Sequence, residues 1–288
     1  MKKNKVSFVF ALPAFVIYSV LLVIPIFMAL GISFFKWNGF SEMEFIGIDN
    51  YVNLFQDTRL GNSVINTLII AGTVIIVVNV LGLALAMLVN KATKVNNFFR
   101  TIFFIPFVLS SVALSFVWKS ILSYNGVLNG IFEAIGQNEM IGNWLGNKWS
   151  AIICIIVVEI WRTLGYHMML YLAALQTVPN DLYEACTVDG GNRWDKFRNV
   201  TLPLIVPGMS VSVLMSIINE LRIYDVVKIM TDGGPGYDTE TIVYNIVAQG
   251  FSGNIIGYSS AIAVVLFLVI GAVSVLVVTQ MGKKEVEM

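Results

Sequence analysis

The sequence predicts an all-α membrane protein with six transmembrane helices, and three observations carry that prediction. Hydrophobic residues make up 57% of the 288 residues and charged residues 12%, whereas soluble domains carry about 25% charged residues. The mean hydropathy is +0.79. Six apolar stretches are long enough to cross a bilayer, and polar connections separate them. The formal net charge is zero, which gives no indication of a nucleic-acid partner.

The six apolar stretches define the predicted spans of a single transmembrane domain that covers residues 1–288. A cleavable signal peptide is the alternative for the first stretch, but the apolar core of such a peptide is only about 7–15 residues long. The predicted spans cover approximately residues 8–35, 64–89, 103–122, 150–175, 203–230 and 258–278.

The distribution of basic residues predicts the orientation of these spans. Basic residues cluster before the first span and after the sixth, and in the second and fourth connections, whereas the other connections carry few. Because short cytoplasmic loops are enriched in lysine and arginine, both termini are expected in the cytoplasm of a multi-pass protein of the cell membrane. The clustered residues are Lys2, Lys3, Lys5, Lys91, Lys94, Arg100, Arg193, Lys196, Arg198, Lys283 and Lys284.

The segment from Asp181 to Pro203 is a long polar run between two strongly apolar stretches. Asp181 and Glu184 have the spacing of a helix N-terminal capping pair, and Asn192 with Asp195 repeats it. The Gly190-Gly191 pair can end the first helix in a left-handed conformation, and Pro203 fits the first turn of the next long helix. The segment is therefore predicted as helix, glycine turn, helix and membrane re-entry, with an ordinary helical loop as the alternative.

This segment resembles the EAA loop of ABC-importer permeases. The resemblance lies in Glu184-Ala185-Cys186, Asp189-Gly190 and Leu202-Pro203, while Cys186 and Gly191 stand where alanine is usual. The Thr-x-Gly-Gly-Pro run at Thr231–Pro235 resembles a run that is typical of the carbohydrate branch of that family. The resemblance implies the type I ABC importer fold, with a cytoplasmic coupling helix that contacts an ATPase. The implied contact residues are Glu184, Ala185, Cys186, Asp189, Gly190 and Gly191.

Charged residues within the predicted fourth and fifth spans indicate a polar path. Ionisable groups inside a bilayer are costly and usually face the interior of the helix bundle. Glu159 and Arg162 can pair on one helix face, and a purely structural ion pair is the alternative. Arg222 and Asp225 form a second possible pair, for which a structural role is favoured. His167 is interpreted as a packed or hydrogen-bonded residue rather than a proton carrier.

A sugar path is predicted near the middle of the membrane. Ser216, Asn219, Glu220 and Ile223 share one helix face by spacing, and Tyr166 lies on the face of the Glu159–Arg162 pair. Matching positions in the maltose permease contribute to its sugar site, so the resemblance implies the same role here. The predicted path residues are Tyr166, Ser216, Asn219, Glu220, Ile223, Glu159 and Arg162. A structural pairing of Glu220 remains the alternative.

The predicted function is that of a permease subunit of an ATP-binding-cassette importer for a sugar or oligosaccharide. The resemblance implies a second homologous permease, two cytoplasmic ATPase subunits and an extracytoplasmic sugar-binding protein as partners. The chain has no catalytic or metal-binding residues by this prediction and binds no cofactor, because ATP and Mg²⁺ are expected on the ATPase subunits. The alternative is a stand-alone secondary transporter or channel that relays protons through its intramembrane Glu, Arg and His residues.

Overall fold

The computed structural model describes residues 12–283, which divide into two compact units. One unit contains residues 12–61 and Asn245–Val269, and the other contains Asn62–Tyr244 and residues 270–283. The predictions that concern residues 8–11, the basic residues near the N-terminus and Lys284 lie outside the described residues.

The first unit begins with the apolar helix α1, Leu12–Ile32, which contains a π-helical turn at Ser19–Val23. A two-stranded antiparallel sheet follows, with β1, Phe35–Lys36, paired to β2, Glu44–Phe45. Helix α2, Asp49–Leu54, lies beside it, and its Asn50 side chain donates to the carbonyl oxygens of Ser33 and Phe35. The most apolar window of α1 has no residue buried within the protein. A helix that is apolar all round and exposed is suited to contact with lipid.

The second unit is built around one long helix. Helix α7, Lys148–Gln176, has fourteen buried residues. Helices packed on it include α4, Lys94–Val108, and α11, Val206–Glu220. Gly165 of α7 permits the close approach of α4, because a Cβ atom there would overlap the carbonyl group of Phe103. The other helices are α3, Thr58–Leu88; α5, Ser111–Leu122; α6, Val127–Ala134; α8, Asn180–Val188; α9, Arg193–Lys196; α10, Leu202–Leu204; α12, Asp225–Met230; α13, Ile242–Val247; and α14, Ile256–Gly282. Of these, α3, α13 and α14 also have residues in the first unit. Further helical turns lie at Asn138–Met140, Phe197–Thr201 and Ala248–Ser252.

Within residues 12–283, five helical segments are long and apolar enough to cross a membrane, and the number is six if a bent pair counts as one span. The all-α membrane fold is therefore confirmed, and six spans are compatible with it. The segments are Leu12–Ile32, Thr58–Leu88, Lys148–Gln176, Val206–Met230 and Ile256–Gly282, with Lys94–Val108 and Ser111–Ala134 as the bent pair.

The third predicted span, residues 103–122, is broken by a sharp bend. Helices α4 and α5 are separate, and the helical segments on either side of the break meet at 95°. Leu109 is extended, and the Ser110 hydroxyl accepts from the backbone N–H of Ala113, so Ser110 is the N-cap of a new helix. Pro106 also lacks an N–H for the helical ladder, which weakens the turn before the break.

The fifth predicted span, residues 203–230, is also interrupted. Pro203 lies in the short helix α10 rather than in the first turn of the long helix, where Pro207 takes that position instead. Helix α11 ends at Glu220, and α12 begins at Asp225. The break at residues 221–224 changes which side chains face the same space.

Candidate functional site

Glu159 and Arg162 form an ion pair on α7. The guanidinium donates Nε–H to one carboxylate oxygen at 3.0 Å and Nη2–H to the other. The side chain of Glu159 is 3% exposed and that of Arg162 is 17% exposed. The bidentate geometry compensates the removal of both charges from water. The pair therefore holds two charged groups in a fixed position at the wall of a cavity.

This cavity has a volume of about 370 Å³ and lies within the second unit. Its wall is formed by residues of α7, by the break between α11 and α12, and by the junction of α4 and α5. Polar, charged and aromatic side chains share the wall, so hydrogen-bonding groups and ring faces point at the same space. The lining residues are Phe107, Ser111, Glu159, Arg162, Thr163, Tyr166, His167, Asn219, Arg222, Ile223, Tyr224, Asp225 and Val226.

An aromatic platform forms one side of the cavity. The rings of Tyr166 and Phe107 are stacked, with centroids 4.4 Å apart and an interplanar angle of 15°. Tyr166 also contacts the ring of His167 edge-on at 5.2 Å. Stacked rings of this kind offer a flat apolar surface of fixed orientation, to which the C–H face of a sugar ring can pack.

The predicted path residues separate into two groups. Five of the seven line the cavity: Glu159, Arg162, Tyr166, Asn219 and Ile223. The other two, Ser216 and Glu220, are not part of its wall. Ser216 is fully buried and hydrogen-bonded to Asn79 of α3. Glu220 is 1% exposed, and neither of its carboxylate oxygens has a hydrogen-bond partner within the described part of the chain.

Ser216 belongs to a buried polar network centred on Asn79 of α3. The Asn79 amide donates to the carbonyl oxygen of Ile75 at 2.7 Å and to the Ser216 hydroxyl at 3.0 Å. Its oxygen accepts from Tyr171 and from Ser212, each at 2.8 Å. The network fixes α3, α7 and α11 to one another, because each buried polar atom that lost its partner would destabilise the packing.

Sequence reasoning missed several residues of the cavity wall. Arg222 and Asp225, interpreted as a pair of their own, both line the cavity, and among residues 12–283 no ion pair joins them. Phe107 was missed because it lies at the break that the sequence did not predict. Tyr224 was missed because it follows the end of α11, where helical spacing no longer applies.

The polar segment after α7 is partly as predicted. Asn192 and Asp195 form a capping box, with the Asn192 oxygen accepting from two backbone N–H groups and the Asp195 carboxylate accepting from the N–H of Asn192. Gly190 is left-handed, with φ of 82°. The capping role of Asp181 is wrong, because α8 begins at Asn180 after Pro179 and its N-terminus has no side-chain cap. Asp181 instead lies in the first turn.

A groove with a volume of about 660 Å³ lies along this segment. Of the six predicted contact residues, five line it: Ala185, Cys186, Asp189, Gly190 and Gly191. The sixth, Glu184, is exposed on α8 and is not part of the groove. A Cβ atom at Gly191 would lie 2.7 Å from the carbonyl oxygen of Cys186, so the glycine lets the chain after α8 fold back against it. Val188 and Trp194 are 87% and 64% exposed.

The Thr231–Pro235 run forms a tight turn. Asp232 and Gly233 have φ of 52° and 78°. Asp232 accepts from the Lys228 ammonium at 2.6 Å and from the Tyr244 hydroxyl at 2.9 Å. The hydrogen bond from Lys228, and after it that from Tyr244, lowers the pKa of Asp232. These contacts, together with the hydrogen bond from the Thr239 hydroxyl to the Gly234 carbonyl oxygen, hold the turn in one conformation.

In the first unit, Asp57 caps the N-terminus of α3. Its carboxylate accepts from the backbone N–H groups of Arg59 and Leu60 at 2.8 and 3.1 Å, and from the side chains of Tyr258 and Gln249 at 2.7 and 3.2 Å. Burial is the largest influence and would raise the pKa of Asp57, but these four hydrogen bonds together hold it below the ordinary value. The ionised form therefore stabilises the start of α3.

Comparison with known proteins gives a consistent result. Residues 79–285 match the family described as binding-protein-dependent transport system inner membrane component. A probable starch degradation products transport system permease protein, AmyD of Thermoanaerobacterium thermosulfurigenes, is 35% identical over 282 residues, which cover 97% of this chain and 94% of that protein. The multiple sugar-binding transport system permease protein MsmF of Streptococcus mutans is 32% identical over 263 residues, 91% of this chain and 90% of that protein.

A solved structure shares the fold. The chain superposes on a chain of a bacterial ABC transporter involved in the import of the acidic polysaccharide alginate with a TM-score of 0.84, at 23% identity, over 98% of this chain and 96% of that one. At that identity the likeness concerns the fold and gives no information about the substrate.

Proposed function

Because the chain belongs to the family of binding-protein-dependent transport system inner membrane components, we propose that its cavity is part of the path of a sugar or oligosaccharide into the cytoplasm. The chain is a permease component and not an enzyme. The predicted membership of the carbohydrate-type ABC-importer permeases is confirmed by the curated relatives, whose names include transporters of starch degradation products and of multiple sugars.

One observation carries the proposal that the cavity accepts a sugar. The stacked Tyr166 and Phe107 rings lie at the same cavity as the Glu159–Arg162 pair and Asn219. Sugars present apolar C–H faces and hydroxyl edges together, so a binding site for them combines ring faces with amides and carboxylates. The volume of about 370 Å³ falls in the range of small-molecule sites.

The test is uptake by the assembled importer in proteoliposomes, with maltose, lactose and trehalose as separate probes. Tyr166→Ala removes the ring that stacks on Phe107, whereas Tyr166→Phe keeps it. We expect Tyr166→Ala to raise the half-saturating sugar concentration about tenfold, the equivalent of about 1.4 kcal/mol, and Tyr166→Phe to remain near wild type. Equal uptake by the two variants would exclude the platform from the path.

The groove beside α8 is the proposed contact with an ATPase subunit. It is open, it is lined by Ala185 and two glycines that allow close approach, and exposed apolar side chains flank it. Such an exposed apolar patch on a polar segment is typical of a protein-binding surface. The proposed assembly contains this chain, a second homologous permease, two ATPase subunits that bind ATP and Mg²⁺, and an external sugar-binding protein.

The alternative of a stand-alone secondary transporter is disfavoured by the family assignment, which describes a component of a binding-protein-dependent system. Uptake that follows a proton gradient and continues without ATP would support the alternative. Uptake that stops when ATP or the binding protein is withheld would support the importer.

A further inference from the structure

The protons of the buried network around Asn79 can be assigned one by one. Its amide nitrogen lies 2.7 Å from the Ile75 carbonyl oxygen, which can only accept, so the orientation of the amide is settled. The Asn79 oxygen is therefore an acceptor, and the hydroxyl groups of Tyr171 and Ser212 both donate to it at 2.8 Å. The Ser212 hydroxyl has one proton, and that proton lies in the hydrogen bond to Asn79.

This assignment determines the tautomer of His167. The Nδ1 atom of His167 lies 2.9 Å from the Ser212 hydroxyl oxygen. Because the Ser212 proton points to Asn79, Nδ1 must carry a proton and donate it. If Ser212 donated to His167 instead, the 2.8 Å contact between Ser212 and Asn79 would join two oxygens with no proton between them. A neutral imidazole with a proton on Nδ1 has a free lone pair on Nε2.

His167 lies in the cavity wall, although only 1% of the residue is exposed. Within residues 12–283, Ser212 is its hydrogen-bond partner, through Nδ1, so Nε2 is the ring nitrogen left available to a group in the cavity. Helix α3 also lies close to the backbone of α7 at this residue, because a Cβ atom at Gly82 would lie 3.2 Å from the His167 Cβ atom. The ring cannot present its other nitrogen to the cavity without losing the hydrogen bond to Ser212.

We infer that His167 is a binding residue of the sugar path, whose Nε2 accepts a hydrogen bond from a substrate hydroxyl, and that Asn79 and Ser212 are positioning residues that keep it an acceptor. The inference rests on the proposed function for the identity of the substrate class. It adds a binding role to a histidine that is packed and hydrogen-bonded, as the sequence predicted. At this contact the site favours a free hydroxyl over a group that can only accept, such as an ether oxygen or a carboxylate.

The tautomer is measured by ¹⁵N NMR of the assembled complex in nanodiscs with ¹⁵N-labelled histidine. His167 is the one histidine of this chain, so the difference between the spectra of wild type and His167→Gln isolates its two ring nitrogens. We expect a protonated Nδ1 and an unprotonated Nε2. A protonated Nε2 with an unprotonated Nδ1 would overturn the inference, whatever the transport results are.

Two serine variants test whether the network sets the tautomer. Ser212→Ala removes the oxygen to which Nδ1–H donates, and we expect signals of the other tautomer to appear. Ser274→Ala is the matched control, because its hydroxyl is buried and has no hydrogen-bond partner in the described part of the chain. The control should leave the tautomer unchanged. An unchanged tautomer in Ser212→Ala would show that the network does not hold the imidazole, and would contradict the positioning role.

The binding role is tested by uptake of maltose, lactose and trehalose, each measured separately. His167→Asn keeps a donor near Ser212 but has no acceptor at the position of Nε2, whereas the longer side chain in His167→Gln can place its amide oxygen there. We expect His167→Asn to raise the half-saturating concentration about three- to tenfold with little change in maximal rate, and His167→Gln to restore most of it. Wild-type values for both variants would overturn the binding role. Failure of the wild-type complex to take up any of the three sugars would count against the proposed function while leaving the tautomer result intact.

Discussion

Gly165 of α7 is the position where the packing of the second unit can be tested most sharply. A Cβ atom at this residue would overlap the carbonyl group of Phe103 and would lie 2.8 Å from the Cα atom of Phe104. All of these are backbone atoms of α4, so no side-chain rotation can relieve the overlap. The substitution Gly165→Ala therefore forces α4 away from α7.

The magnitude follows from the balance of two effects. Overpacking of a close contact costs about 1–3 kcal/mol, and more when only backbone can move. Alanine in a helix gains about 1 kcal/mol over glycine from its intrinsic propensity. Gly72→Ala in α3 is the matched control, because its Cβ atom would meet nothing within 4 Å. That variant gains the helix propensity of alanine without any overpacking. We expect Gly165→Ala to be about 1–3 kcal/mol less stable than Gly72→Ala, with sugar uptake impaired because Phe107 of α4 carries half of the aromatic platform.

The assay is thermal unfolding of the purified complex in detergent, followed by uptake in proteoliposomes with each variant. Purification yield and subunit stoichiometry serve as controls for assembly. If Gly165→Ala matches Gly72→Ala in both stability and uptake, the close approach of α4 and α7 does not exist as described, and the geometry derived for the cavity fails with it.

Three further predictions concern other parts of the chain. Gly190→Val should strain the left-handed turn by about 1–2 kcal/mol and abolish sugar-stimulated ATP hydrolysis while the complex still assembles, whereas Gly190→Asn, which tolerates that conformation, should retain more stimulation; equal stimulation in both variants would count against a coupling role. Because the pKa of Asp57 is lowered in the folded protein, the stability that its charge contributes is present above the unfolded pKa of about 3.9 and is lost as the pH falls through the folded value. Asp57→Asn should therefore lower thermal stability at pH 7 by an amount that shrinks below about pH 4, and a pH-independent difference would refute the charge effect. A cysteine placed at Asn192 should be labelled by a membrane-impermeant maleimide only in inside-out vesicles, and labelling on intact cells would reverse the predicted orientation.

Local features of the sequence were enough where the physical cause is local. The capping box of Asn192 and Asp195 and the left-handed Gly190 were predicted because each depends only on residues within one turn. Asp181 has the same spacing to Glu184 as a capping pair, yet the helix begins at Asn180, after Pro179, two residues before a cap at Asp181 would start it. Spacing alone therefore does not identify the cap when a proline offers a competing start.

Helical spacing predicted the cavity only as far as the helices are continuous. Glu159, Arg162 and Tyr166 share a face of the unbroken helix α7, and all three line the cavity. On the fifth predicted span, helix α11 ends at Glu220, so Ile223 does not share a helix face with Ser216 and Glu220. Those two side chains are buried away from the cavity wall. The break is set by tertiary contacts, for example the hydrogen bond of Thr241 to the Ile223 carbonyl oxygen, which no local pattern contains.

The hydrogen-bond network around Asn79 could not be predicted from the sequence either, because it also depends on tertiary contacts. Asn79 needs a hydrogen-bond partner inside the membrane, because an unpaired amide there is costly. Its partners Tyr171 and Ser212 lie 92 and 133 positions away in the chain. Only the packing of three helices brings them together, and the tautomer of His167 follows from that packing.

The most direct test of the central claim is sugar uptake by the complete complex in proteoliposomes, with the binding protein and ATP each added or withheld. The probes are maltose, lactose and trehalose. We expect uptake of at least one of them that requires both ATP and the binding protein and that falls in Tyr166→Ala but not in Tyr166→Phe. Uptake that needs neither ATP nor the binding protein would contradict the proposed function.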